Sequence, residues 1–147
     1  MSKKVYADAN FLVAYFVEGH IKNDDSVKKM AELLTDKCKF CVSTLALDET
    51  WHIIHKYYKS GREYRSHFSE FESIFNKMKD SKNFSFIQFA SLTIGITKAL
   101  ENIDRFNLRP RDSFHLAMAE DQRADLLITC DSDLTKIQNS PVRIEAF

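Results

Sequence analysis

The chain has 147 residues, 44% hydrophobic and 29% charged, and its 21 basic and 21 acidic side chains cancel to a formal net charge of zero. This size and composition suit one compact domain over residues 1–147 and exclude a disordered chain. The balance of charge excludes a globally basic nucleic-acid binder, so any contact with nucleic acid must come from a local basic patch.

Twelve phenylalanines beside only three glycines and two prolines predict a bulky core in long, mostly helical elements with few loops. Met1-Ser2-Lys3-Lys4 leads into an apolar stretch, but Asp8 and Asn10 interrupt it and Glu18 follows, unlike a signal peptide. No run approaches the length of a membrane span, so a soluble, cytoplasmic protein is expected.

In chain order, Val5-Tyr6-Ala7 is a short apolar run ending at Asp8, and Phe11 to Phe16 begins a helix. Asp24 or Asp25 is placed to cap a helix carrying Val27, Met30, Leu33 and Leu34 on one face. Phe40-Cys41-Val42 reads as a strand closing at Ser43. From Leu45 to about Lys59, Leu47, Trp51, Ile54 and Tyr58 recur at helical spacing, and Gly61 is the stop signal. Tyr64, Phe68, Phe71, Phe75 and Met78 form an aromatic stripe on a further helix, packed in the core or exposed as a dimer surface.

After the polar break Asp80–Asn83, Phe84-Ser85-Phe86 alternates like a strand. Leu92, Ile96, Leu100 and Ile103 mark another helix. The loop Asn107–Arg111 precedes a helix opening at Asp112, with Phe114, Ala117 and Met118 on its buried side. Leu126–Thr129 is a buried strand stopping at Asp131, and Val142-Arg143-Ile144 is a last strand. Short apolar strands alternating with helices predict an α/β fold, a three-layer α/β/α sandwich around a mainly parallel sheet of four to five strands.

Three cysteines, Cys38, Cys41 and Cys130, are too few for a disulfide scaffold, and the lone Cys38-x-x-Cys41 lacks the second pair of a zinc ribbon. Buried reduced thiols are expected. Functional groups of an open parallel sheet gather beyond the carboxyl ends of its strands. Asp8 and Asp131 follow such ends, Glu49 lies early in the helix leaving the Phe40–Val42 strand, and Asp112 opens the helix before Leu126–Thr129. Two carboxylates about 4 Å apart repel by about 1 kcal/mol in water and about 4 kcal/mol at an effective dielectric near 20. Four acids in one cleft therefore require protons or a cation, and an all-oxygen set suits hard divalent ions such as Mg²⁺ or Mn²⁺. That chemistry fits phosphodiester hydrolysis.

The series Tyr6-Ala7-Asp8-Ala9-Asn10, Ser43-Thr44-Leu45-Ala46-Leu47-Asp48-Glu49, Arg111-Asp112-Ser113-Phe114-His115-Leu116-Ala117-Met118-Ala119 and Leu127-Ile128-Thr129-Cys130-Asp131-Ser132-Asp133 resembles the PIN domain over nearly the whole chain. The resemblance implies a Mg²⁺- or Mn²⁺-dependent ribonuclease. Asp8, Glu49, Asp112 and Asp131 would be its metal-holding catalytic acids, with Asp133 as an accessory. It also implies that the Thr129 hydroxyl supports the acidic site and that Asn10 is the polar neighbour of the first acid. Stand-alone PIN proteins of this length are often VapC-like toxins, so the resemblance implies a small antitoxin protein and a homodimer as partners beside an RNA substrate. A PIN-like module that binds RNA or protein without cutting is the alternative, kept open by the zero net charge.

The remaining motifs read more plainly. Arg109 and Arg111, flanking Pro110, are candidates for binding substrate phosphate, or a solvated loop. Lys56, Lys59, Arg62 and Arg65 line an RNA path or, more simply, a solvated helix face. Glu49-x-x-His52 is half of a di-iron motif whose second half is missing, and His52-x-x-His55 suits a solvated or packed face. His115 is expected to pack or hydrogen-bond rather than catalyse. A haloacid-dehalogenase-like phosphatase also begins strand–Asp–x–Asp, but Asn10 replaces its general acid.

Overall fold

Alternate residues of each short apolar run point into different cores, as the two-residue period of a strand requires. Val5 and Ala7 of the first strand, Phe40 and Val42 of the second, and Leu126 and Ile128 of the fourth share one core with Phe11, Met30, Ile54, Ile74 and Met78. Tyr6 and Leu127, on the opposite face, pack with Leu108, Leu116, Ala119, Leu134 and Val142. A computed structural model describes residues 2–58 and 67–147. The elements run β1 (Lys4–Ala7), α1 (Ala9–Phe16), α2 (Asn23–Thr35), β2 (Lys39–Ser43), α3 (Thr44–Tyr57) and α4 (Phe68–Lys79). They continue with β3 (Phe84–Ile87), α5 (Leu92–Phe106), α6 (Pro110–Asp121), β4 (Leu126–Ile128), α7 (Ser132–Thr135) and β5 (Arg143–Glu145).

The strands form one sheet in the order β3-β2-β1-β4-β5. Every pairing is parallel, with Tyr6 beside Cys41 on one side and Leu127 on the other. Helices cover both faces, so the expected three-layer α/β/α sandwich is what forms, with five strands. The chain leaves β1 toward β2 on one side and returns to β4 on the other. That reversal opens a crevice beyond the carboxyl ends of β1, β2 and β4.

Several local expectations shift. The second helix begins at Asn23, and Lys22 at its cap makes no side-chain cap. Asp24 and Asp25 lie in its first turn, where they complement the helix dipole. Only Ser26, Met30 and Leu33 of that helix are buried, while Val27 and Leu34 are exposed. The helix carrying Asp112 starts at Pro110, whose missing N–H is harmless in a first turn, so Asp112 sits inside the helix rather than opening it. On that helix Leu116, Ala117 and Met118 are buried, but Phe114 only partly. Of the aromatic stripe, Met78 is buried, Phe71 and Phe75 half-buried and Phe68 exposed. Tyr64 and Gly61, with Lys59, Arg62 and Arg65 of the basic run, lie outside the described residues.

Helix α5 buries its small residues rather than its large apolar ones. Its apolar stripe faces outward, with Leu92 67% and Leu100 61% exposed and Ile96 exposed as well. The helix packs instead through Gly95, Ala99 and Asn102. A Cβ on Gly95 would lie 2.3 Å from the ring of Phe89, so only glycine lets that ring reach the helix. Asn102 and Lys98 both bond Glu120 of α6, at 3.1 and 3.0 Å. No helix among the described residues is long and apolar enough to cross a membrane.

Candidate metal centre

Asp8 lies just past β1 and caps α1, its Oδ1 accepting the Ala9 N–H at 2.7 Å. Its other oxygen, Oδ2, accepts the Thr129 hydroxyl at 2.7 Å, and its backbone N–H continues the ladder to Ile128. The residue is only 4% exposed. Across the crevice, Ser43 ends β2 and caps α3 through the Ala46 N–H, which fixes where that helix starts and therefore which way Glu49 faces. Glu49 Oε2 accepts the Nε2–H of His115 at 2.6 Å, and Arg111 approaches Oε1 at 3.4 Å.

Asp131 caps the short α7, its Oδ1 accepting the Asp133 N–H at 2.7 Å. Its own N–H donates to the Thr129 hydroxyl oxygen at 3.0 Å. One buried hydroxyl thus donates to the first acid and accepts from the last. Asp112 enters from the first turn of α6.

These side chains meet in one open cleft of about 500 Å³, lined by Asp8, Asn10, Glu49, Asp112 and Asp131, with Arg109 and Arg111 among its walls. The carboxylate and imidazole atoms fall into two sets, each within 4.8 Å: Asp8, Glu49 and His115, then Asp112, Asp131 and Asp133. Asp133 does not line the cleft; it lies 3.6 Å from Arg109 at the rim. Thr129 is buried beneath the floor.

Crowding of like charge shows in the titration of Asp112. Burial, then the charges of Asp131 and Asp8, push its pKa from 3.8 to about 6. Burial also works against a charged Glu49, but the His115 hydrogen bond and the charges of His115, Arg111 and His52 outweigh it and lower its pKa. For His115, burial opposes the imidazolium, yet Asp8, Glu49 and Asp112 together raise its pKa. Oxygen-rich donors, half-buried and repelling one another, suit a hard divalent cation.

Three further residues belong to the site that composition and spacing did not assign to it. His52 lines the same open cleft, and its position three residues after Glu49 was the available signal. Tyr6 and Ser43 join His115 beneath the floor, a contact between distant segments that spacing cannot show. His115 itself is a buried hydrogen-bonding residue, as expected. The three cysteines are free thiols.

The sequence matches the family model described as PIN domain over residues 5–139. Its fold is similar to VapBC2 from Rickettsia felis, solved with a promoter DNA fragment, at TM-score 0.66 and 17% identity, covering 97% of this chain and 98% of that one. It is similar to VapC20 of Mycobacterium tuberculosis, a sarcin-ricin-loop-cleaving toxin, at TM-score 0.64 and 14% identity, covering 89% and 92%. VapBC-1 from nontypeable Haemophilus influenzae gives TM-score 0.62 at 10% identity, with 97% of each chain covered. No curated protein matches the sequence.

Proposed function

The chain belongs to the PIN domain family, and on that premise we propose that it is a Mg²⁺- or Mn²⁺-dependent endoribonuclease acting as the toxin of a toxin–antitoxin pair. The observation that carries this reading is the convergence of Asp8, Glu49, Asp112 and Asp131 on one cleft walled by two arginines. Those four acids would hold the ion, with Asp133 as an accessory from the rim. Such an ion, when bound, makes a water more acidic and stabilises charge on the phosphate.

The protein's own groups do the rest. Thr129 holds Asp8 and the Asp131 backbone in one register, which sets the spacing across the site. Asn10 lines the same cleft two residues beyond Asp8 and offers a neutral polar group there. Arg109 and Arg111, side chains largely exposed on either side of Pro110, are placed to grip backbone phosphates and orient the scissile bond toward the acids. The reading of RNA as substrate and of an antitoxin as partner is supported by VapC20, named for cleaving the sarcin-ricin loop, and by the VapBC assemblies of the same fold. The proposed homodimer would cover the apolar face of α5 rather than the stripe on α4, much of which is used in the core.

The test is RNA cleavage by protein freed of contaminating nucleases. Cleavage should require Mg²⁺ or Mn²⁺, stop with EDTA, and vanish in folded Asp8→Asn and Asp112→Asn. Variants that cut like the parent protein would overturn the assignment. RNA binding that ignores chelation and yields no products would point instead to a binding module. Recovery of a small co-purifying protein from the native host supports the toxin role.

A further inference from the structure

We propose that His115 is a positioning residue for Glu49, anchored through Tyr6 to the start of the helix that carries Glu49; this inference rests on the metal-centre reading above. Three elements meet in a buried chain. The Tyr6 hydroxyl, from β1, lies 2.7 Å from Ser43 Oγ at the cap of α3 and 2.7 Å from His115 Nδ1 on α6. His115 Nε2 then reaches Glu49 Oε2 at 2.6 Å. Tyr6 and Ser43 are fully buried and His115 is 2% exposed, so water does not substitute for a missing partner.

The direction of the chain follows from chemistry. An ionised carboxylate only accepts, so Nε2 carries the hydrogen that meets Glu49. In the neutral ring Nδ1 accepts the Tyr6 O–H and the Tyr6 oxygen accepts the Ser43 O–H; in the imidazolium Nδ1–H donates to the Tyr6 oxygen and the Tyr6 O–H to Ser43, and in both the Ser43 oxygen accepts the Ala46 N–H at 3.0 Å. In the neutral form every donor finds an acceptor, a closed network that fixes side-chain orientation. Packing alone would be met by phenylalanine at position 6 and an apolar residue at 115; the hydroxyl and both ring nitrogens are instead in use. The consequence falls on one atom. Glu49 Oε2 is clamped by the imidazole, so an ion or its water would meet Oε1, beside the Arg111 guanidinium 3.4 Å away, while Asp8 Oδ1 sits 3.4 Å from the same Nε2. His115 therefore sets the carboxylate spacing without being a ligand.

The test measures Mn²⁺ affinity by the electron paramagnetic resonance signal of free Mn²⁺, without reference to cleavage. Loss of an outer partner of a metal ligand typically weakens binding about 10- to 100-fold, and that is the expectation for His115→Leu. His115→Gln, whose amide N–H can still reach Oε2, should stay within about threefold of the parent, whereas Tyr6→Phe should weaken binding by about three- to tenfold. If His115→Leu fails to fold, Tyr6→Phe decides, since it keeps ring and volume. Equal affinity in parent, His115→Leu and Tyr6→Phe overturns the inference, as does equal weakening by Leu and Gln at 115. In ¹⁵N-histidine spectra Nε2 should keep its hydrogen on addition of Mg²⁺; a lost hydrogen, or imidazole nitrogen coupling to bound Mn²⁺, makes His115 a ligand and overturns it. A parent protein that takes up no Mn²⁺ instead removes the metal-centre reading itself.

Discussion

The two halves of the cleft solve the problem of buried negative charge differently. Asp8 and Glu49 are met by protein donors on both oxygens or nearly so: Ala9 N–H and the Thr129 hydroxyl for the first, His115 and the more distant Arg111 for the second. Asp112, Asp131 and Asp133 face one another within 4.8 Å, and the titration of Asp112 is pushed upward, to about 6. Donor contacts make a carboxylate rigid and keep it ionised; facing carboxylates store repulsion that a cation relieves. The first half is thus a fixed frame, and the second is where an added positive charge gains most.

The sharpest break of that contrast comes from removing one charge on each side. Asp8→Asn and Asp112→Asn should each lower metal-dependent RNA cleavage by about 100- to 1000-fold or more, measured on a labelled RNA in Mg²⁺ and Mn²⁺. Full activity in either variant would mean that one half is dispensable. Next in size is Thr129→Val, which strands the Asp8 oxygen and the Asp131 N–H without their shared hydroxyl. Denaturant unfolding should show a loss of about 1–3 kcal/mol. No loss would mean that the two halves are fixed independently.

A smaller effect separates the halves by pH. Because the folded Asp112 has its pKa raised above its ordinary 3.8 to about 6, it favours the fold below that ordinary value and loses this contribution as pH climbs through about 6. Glu49, lowered below its ordinary value, contributes in the opposite direction, present at neutral pH and lost on acidification. Urea unfolding in EDTA should therefore find Asp112→Asn more stable than the parent at pH 7.5, by about 1 kcal/mol once solvent screening of a half-exposed group is allowed for. Near pH 4 the difference should shrink, and Mg²⁺ should narrow it at pH 7.5. A pH-independent difference would leave the repulsion unsupported. Least affected should be Asp133→Asn, at the rim beside Arg109, with a change in cleavage rate of about threefold or less. A collapse comparable to Asp112→Asn would move Asp133 into the centre.

Much of this arrangement is legible in local pattern. Val5-Tyr6-Ala7 before Asp8 and Leu126–Ile128 before Thr129-Cys130-Asp131 mark parallel strands with acids at their ends, because a strand buried on both faces must be apolar and must stop where a charge begins. The stop at Ser43 followed by helical spacing placed Glu49 on a helix just after a strand. Helix starts were harder. Asp24, Asp25 and Asp112 look like caps, yet Lys22 and Arg109 occupy the cap positions, since acids are also favoured one turn further in. The α5 stripe marked a helix but not its environment: periodicity shows that a helix has an apolar face, not what that face meets.

The sequence by itself determined the alternation of strands and helices, the acids at strand ends and their family pattern, because those depend on residue order over a few turns of chain. The tertiary structure alone decided that Asp8 and Glu49 would be held by Thr129 and His115 while Asp112, Asp131 and Asp133 confront one another. It also decided that Tyr6, Ser43 and His115 would join under the floor, and that α5 would turn its leucines outward so that Gly95 and Asn102 pack within. Hydrogen bonds and charge repulsion act over a few ångströms in space, and residues as far apart as Tyr6 and His115 come within that range only when the sheet has formed.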